Sequence, residues 1–325
     1  MSLNDVIGQE HIIKILKKFL KNRDFFHAYI FEGPQGIGKR YTAFNFAKGI
    51  FCDSVASDAC ETCISCSKMN HYTHPDYYYI EPEGSIKDGQ IEKIQKAMSK
   101  KPYESRNMVF VIDEAETMTK RAQNRLLKTL EEPNKNIIII LITENLNRIL
   151  PTVVSRCMTL KFTPLKDEKT SFYLINKYSA DHTDAEILAA FSQGRIGMAD
   201  EMYLLGDFRK RREESIEIAQ KMINPDGEIF DLIHILNDKK KEIFFFLDMI
   251  EYWYRDLSVL SSVGYNEKIL MNADYSDTLL KEANRIGYEK AIRIVELLEE
   301  AKKEININLN FNMVIKNMLF KIQEE

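Results

Sequence analysis

The chain has 325 residues, enough for two or three domains, and 45% of them are hydrophobic, which excludes a disordered or low-complexity protein. Its 45 Lys and Arg against 49 Asp and Glu leave a net charge of −4, so any contact with nucleic acid must come from a local patch and not from the field of the whole molecule. No apolar run approaches the roughly 18 residues of a membrane helix, and the N-terminus lacks the charged-then-apolar plan of a signal peptide, so a cytoplasmic protein without membrane contact is expected.

In chain order, Tyr29-Ile30-Phe31 is a short apolar run of strand type that leads into Gly33-Pro34-Gln35-Gly36-Ile37-Gly38-Lys39-Arg40. This segment follows the phosphate-loop pattern G-x-x-x-x-G-K-[ST] up to its last position. Gly33, Gly36 and Gly38 let backbone N–H groups surround phosphates, and Lys39 can reach the β- and γ-phosphates. Arg40 stands where a hydroxyl would help hold Mg²⁺, and a guanidinium has no lone pair for a metal. The expectation is a nucleotide site that has lost hydrolysis. Either Arg40 replaces the metal's charge and ATP or ADP binds without turnover, or it plugs an abandoned site. Lys39 to Phe51 is then a helix, with Phe44, Ala47 and Phe51 near one face.

Four of the five cysteines follow in one window, Cys52, Cys60, Cys63 and Cys66, spaced C-x7-C-x2-C-x2-C. In a reducing compartment this spacing suits a tetrahedral four-thiolate Zn²⁺ site. With all four positions taken by sulfur, the metal would be structural. Tyr77 to Ile80 is the next expected strand, and Ile91, Ile94 and Met98 fall at helical spacing in a segment ending near Pro102. Met108 to Ile112 is an apolar strand that delivers Asp113 and Glu114 to a sheet edge. In nucleotide hydrolases the first acid serves Mg²⁺ and the second the attacking water. Thr119 to Leu130 is a helix stopped by Pro133, and Ile137 to Ile142 and Met158 to Phe162 are further strands. This alternation predicts an α/β domain, a parallel sheet flanked by helices, over residues 1–163 with the zinc module at 52–66. Thr163-Pro164-Leu165 marks a boundary. Three short helical segments over 164–205, broken at Ser179 to Thr183 and at Gly194 to Gly197, predict a small helical lid. An all-α domain over 206–325 follows, with amphipathic stretches at Ile243 to Val259 and Ala291 to Ala301. The basic runs at Lys14, Lys17, Lys18, Lys21 and Arg23, at Arg209 to Arg212, and at Lys239 to Lys241 read as solvated helix faces.

Over its first half the chain resembles the AAA+ clamp-loader ATPases of bacterial DNA replication. Asn4-Asp5-Val6-Ile7-Gly8-Gln9-Glu10 is similar to their adenine-side segment, and His27-Ala28-Tyr29-Ile30-Phe31 enters the phosphate loop as theirs does. The cysteine module after the loop helix, the helix sequence Asn124 to Pro133, and Ile149 to Cys157 with its Ser155-Arg156-Cys157 signature complete the likeness. The resemblance implies a ring assembly in which Arg156 reaches a neighbour's ATP as an arginine finger. It also implies a C-terminal collar domain, and as partners motor subunits of the gamma/tau type, a delta subunit, the sliding clamp and primer–template DNA. Motor subunits of the family keep Lys-Thr in the loop and a sensing arginine in a Gly-Ser-x-Arg-Asp-Ala segment. Here the loop has Lys39-Arg40, and the second segment is Gly194-Arg195-Ile196-Gly197-Met198-Ala199, with Gly197 in the arginine's place. Both departures point to a non-motor subunit, with Glu114 a vestigial base and Cys157 an idle thiol. The alternatives are an active gamma/tau-type ATPase, for which Asp113 and Glu114 speak, and another AAA+ DNA-remodelling protein.

Overall fold

The structure, a computed structural model, describes residues 2–54, 56–82, 84–223, 229–264, 266 and 269–324. They gather into two compact units, one of residues up to 174 with 192–200, the other of 175–191 with 201 onward.

The first unit is built on a five-stranded sheet of β1 (Ala28–Glu32), β2 (Tyr77–Ile80), β3 (Met108–Ile112), β4 (Ile137–Thr143) and β5 (Met158–Lys161). The order is β2-β3-β4-β1-β5 and every pairing is parallel. A parallel sheet covered on both faces needs strands that are apolar throughout. All seven residues of β4 and all five of β3 are accordingly buried. Alternation then sends successive side chains to opposite faces. Tyr29, Phe31, Val109, Val111, Ile138 and Ile140 pack beneath α1 (Glu10–Asn22) and α2 (Lys39–Phe51). Ala28, Ile30, Phe110, Ile112, Ile139 and Leu141 pack beneath the other face's α4 (Asp88–Met98) and α5 (Lys120–Glu131). Between these lie α3 (Ile64–Asn70), inside the cysteine module, and α6 (Pro151–Val154), which precedes Arg156.

Because Glu32 pairs with Thr143 and Ile112 with Leu141, β1, β3 and β4 end at one edge of the sheet. The phosphate loop, Asp113 and Glu144 therefore emerge side by side, at the position where parallel sheets bind ligands. Helix α1 carries Lys14, Lys17, Lys18 and Lys21 on its outer side, while Ile12, Ile13, Leu16 and Leu20 are buried.

Three helices follow, α7 (Asp167–Tyr178), α8 (His182–Ser192) and α9 (Ile196–Leu204). The expected break over Gly194 to Gly197 is shorter than the sequence suggests, since α9 begins at Ile196 and Gly197 lies in its first turn. The second unit continues through α10 (Phe208–Met222), α11 (Ile229–Asp238), α12 (Ile243–Val263), α13 (Ser276–Ile286), α14 (Tyr288–Asn306) and α15 (Phe311–Glu324). Its core forms around α12, whose Trp253 and Tyr254 are fully buried and hydrogen-bonded to Glu282 and to the carbonyl of Ala219. Arg212, also buried, joins Asn272 and Asp274 and lies over the rings of Phe191 and Tyr275.

Candidate functional site

The phosphate loop has the backbone its motif requires. Gly33, Gly36 and Gly38 all have positive φ, and Gly38 is the left-handed residue at the start of α2. No side chain caps that helix end, so its first N–H groups face the loop. The loop is nevertheless engaged with its own chain. Lys39, 6% exposed, donates its Nζ to the carbonyl oxygens of Gly33 and, at 2.8 Å, of Pro34. Burial pushes its ammonium below the usual lysine range, against the opposing pull of Glu144, Glu116 and Asp113.

The acidic side is occupied as well. Arg40 Nε donates to Asp113 Oδ2 at 2.5 Å and Nη2 to Glu81 Oε1 at 2.9 Å. The guanidinium lies over the Tyr79 ring, 5.5 Å from its centroid, and the Tyr79 hydroxyl donates to the same Asp113 Oδ2. The Glu114 N–H donates to Asp113 Oδ1 at 2.9 Å. Glu114 takes a left-handed backbone, φ 43° and ψ 49°, and burial, then Asp113, raise its carboxyl above the ordinary value.

The segment from Arg195 to Met198 closes the loop from the other side. Gly197 N donates to Gly36 O at 2.6 Å. A Cβ at position 197 would lie 2.9 Å from Gly36 O and 3.1 Å from its Cα. This backbone-on-backbone contact admits no side chain where the resemblance would place a sensing arginine.

At the other end of α2 the four cysteines come together, their sulfurs all within 4.8 Å of one another. Thiolates about 2.3 Å from a tetrahedral Zn²⁺ lie roughly 3.8 Å apart, so small rotations suffice. Cys52 and Cys66 are buried, and the Cys60 and Cys66 N–H groups donate to the sulfurs of Cys52 (3.3 Å) and Cys63 (3.4 Å). The side chain and N–H of Thr62 bring the Cys60 thiol down to about 6, while burial pushes Cys52 and Cys66 up. The loop is tied down on three sides. Arg23 donates to the carbonyls of Gly49, Ile50, Cys52 and Ser54, Asp58 accepts from the N–H groups of Leu3 and Asn4, and the buried Lys48 pairs with Glu61 and with Asn70 at 2.9 Å. The donor set fits a metal that links chain segments and leaves no position for substrate.

Arg156 follows α6, two residues before β5. Its Nη2 pairs with Glu131 Oε1 at 2.8 Å and its Nη1 donates to the Thr152 carbonyl at 2.9 Å. The first residue of β5, Met158, pairs with Tyr29, whereas the phosphate loop begins beyond Glu32, which pairs with Lys161. At about 3.3 Å per residue the two sites are separated by the length of β1 and lie at opposite ends of the same strand pair. Cys157 is half-buried, and burial pushes its thiol up to about 12, which leaves it unreactive.

The structure thus brings together Gly33, Gly36, Gly38, Lys39, Arg40, Asp113 and Glu114, assembles the four cysteines separately, and sets Arg156 apart from both. Tyr79, Glu81, Glu116 and Glu144 escaped sequence reasoning. Tyr79 becomes a candidate only once β2 is known to pair with β3, with Tyr79 opposite Val111.

A family model described as DNA polymerase III, delta subunit matches residues 8–166. DNA polymerase III subunit delta' of Bacillus subtilis (strain 168) is 32% identical over 322 residues, 97% of this chain and 96% of its own length. The Pseudomonas aeruginosa subunit delta' is 28% identical, covering 90% of each chain. DNA polymerase III subunit tau of B. subtilis is 26% identical over 93% of this chain but only 58% of its own.

Proposed function

The chain belongs to the DNA polymerase III delta-prime family of clamp-loader subunits, and from that premise we propose that it serves its assembly without hydrolysing ATP itself. The observation that carries this reading is the Arg40–Asp113 contact. It puts a guanidinium on the carboxylate that would hold Mg²⁺ and leaves no hydroxyl in the loop to share the metal. Lys39, Asp113 and Glu114 remain as parts of a site that no longer works as a unit.

In this reading the chain's contribution to catalysis is Arg156. Its place at the opposite strand end from its own loop removes it from cis action and suits a neighbouring motor subunit of the gamma/tau type. The ion pair that holds it, with side chains 35% and 50% exposed, contributes at most about 1 kcal/mol and can be exchanged for a γ-phosphate. The proposal extends to the whole complex: residues 1–163 as a zinc-bearing AAA+ domain, 164–205 as a lid, and 206–325 as a collar joining subunits. The assembly, with a delta subunit, opens the sliding clamp and places it on primer–template DNA in the cytoplasm. Nucleotidyl transfer belongs to the polymerase of the holoenzyme. Zn²⁺ in the cysteine site acts as a structural cross-link. No described helix is long and apolar enough to cross a membrane.

The test is ATP hydrolysis with Mg²⁺ and primed DNA, first by the chain alone against Lys39→Ala, then in the reconstituted assembly against Arg156→Ala. The chain alone should show no turnover above its control. In the assembly Arg156→Ala should slow the site it serves by about 10³–10⁵, the usual worth of an arginine finger. Turnover by the isolated chain that Lys39→Ala abolishes would instead make it a motor, the reading favoured by the retained Asp113 and Glu114.

A further inference from the structure

Arg40 is the substitution visible in the motif, but it is not the only group on Asp113. Asp113 Oδ2 carries two donors, Arg40 Nε and the Tyr79 hydroxyl, and a carboxylate oxygen has about two lone pairs to offer. Oδ2 is therefore filled, and Oδ1 already accepts from the Glu114 N–H. Tyr79 reaches this position from the edge strand β2. Its side chain shares the α2 face with Val109 and Val111, and its ring supports the Arg40 guanidinium from below. Glu81, two residues on, pairs with the far side of the same guanidinium at 2.9 Å. One short stretch of β2 and its end thus supplies a hydrogen-bond donor for the acid, a ring face for the cation and a second counter-charge.

We propose that Tyr79 is a second lock on the metal side of this site: together with Arg40 it keeps Asp113 unavailable to a divalent cation, so that restoring a hydroxyl at position 40 alone does not restore metal-dependent nucleotide binding. The inference rests on the non-hydrolysing reading and deepens it. Mg²⁺ demands near-octahedral oxygen ligands and parts with its water reluctantly, so it does not compete well for a carboxylate oxygen already accepting two hydrogen bonds. Removing Arg40 frees one lone pair, but the Tyr79 hydroxyl still draws on the charge of the same oxygen and fixes the carboxylate's orientation, so the metal meets a weaker and less adaptable ligand than a bare carboxylate. Tyr79→Phe removes that donor while keeping the ring against α2.

The experiment is the affinity of the full chain for ATP, measured by calorimetry with Mg²⁺ and with EDTA, for the wild type, Arg40→Thr, Tyr79→Phe and the double variant. The quantity read is the gain that Mg²⁺ brings. The wild type and Tyr79→Phe should show none, because Arg40 is still in place. Arg40→Thr should show little, and Arg40→Thr/Tyr79→Phe should gain about ten-fold or more over Arg40→Thr, the factor that a hydrogen bond to an ionised group carries. Full Mg²⁺ dependence in Arg40→Thr alone overturns the proposal. So does a double variant that melts like the wild type and gains nothing from Mg²⁺, whether or not it binds ATP. Failure of the non-hydrolysing reading shows separately, as turnover by the unsubstituted chain.

Discussion

At the N-terminus of α2 the phosphate loop is engaged by its own chain, whereas at the C-terminus of the same helix four sulfurs converge to within 4.8 Å of one another. The loop keeps the backbone of a nucleotide site, three glycines at positive φ and an uncapped helix end, but Lys39, Arg40 and Asp113 are bonded to protein groups. The cysteine module keeps both its backbone and its chemistry. Arg23 and Lys48 bind the module's carbonyls and Glu61, and the module's own Asp58 accepts from the N–H groups of Leu3 and Asn4. The pair teaches that the shape of a site also carries packing. Gly36 and Gly197 meet backbone to backbone, and that contact needs glycine whether or not a phosphate is ever bound.

The largest effect should come from the intact end. Purified protein should carry one zinc per chain, and Cys66→Ser should lose it and melt at a markedly lower temperature. Structural zinc contributes roughly 10–16 kcal/mol in small fingers. Even a fraction of that exceeds what any surface contact of this chain supplies. Elemental analysis together with thermal melting checks this. A Cys66→Ser chain that melts like the wild type would mean that the ties from Arg23, Asp58 and Lys48 hold the module without metal.

The phosphate end should respond to packing. Gly197→Ala puts a Cβ 2.9 Å from Gly36 O and 3.1 Å from Gly36 Cα, both backbone atoms. Overpacking of this kind costs about 1–3 kcal/mol. The variant should be less stable than the wild type by that amount and melt correspondingly lower, in the absence of any nucleotide. Unchanged melting would show that the segment from Arg195 to Met198 leaves the loop freely, and would break the view of the loop as closed upon itself.

How far the two ends could be read from sequence follows the same division. The cysteine spacing alone points to the cluster of four sulfurs, because they are close in the chain. The parallel sheet was legible because buried strands such as Ile137 to Ile142 are continuously apolar. The closure of the phosphate loop was only half legible. Arg40 stands in the motif, but Tyr79 and Glu81 reach Asp113 and Arg40 through the pairing of β2 with β3, a contact across roughly thirty residues of chain that no local pattern records. Gly197 likewise reads as a helix breaker in sequence, yet it is helical and is glycine because of what lies across from it. The lysines of α1 read as a solvated helix face, but the buried side of that helix, where Ile12, Ile13, Leu16 and Leu20 keep the 3.6-residue period, is masked in the sequence by the charge around it.

The smallest effect separates the ends by pH. His74 is 4% exposed and stacked on Phe51, the last residue of α2, at 4.1 Å. Its Nδ1 accepts from the Asp76 N–H at 3.3 Å, so the ring is held neutral, with Nε2 beside Ser105 Oγ at 3.3 Å. Burial lowers its affinity for a proton below the ordinary value of 6.5. A group that must stay neutral in the fold lends its stability in full above 6.5 and loses it as the pH falls from there toward its folded value, by at most about 1.4 kcal/mol per pH unit for one proton. His74→Phe keeps the stacking and removes the titration, so melting should fall less between pH 7.5 and 5.5 in the variant than in the wild type. Loss of zinc at low pH affects both chains alike, so it cancels in that difference. Equal slopes would mean that the ring is protonated in place, with Asp76 rotated to receive it, and that the C-terminal end of α2 tolerates charge as readily as the N-terminal end does.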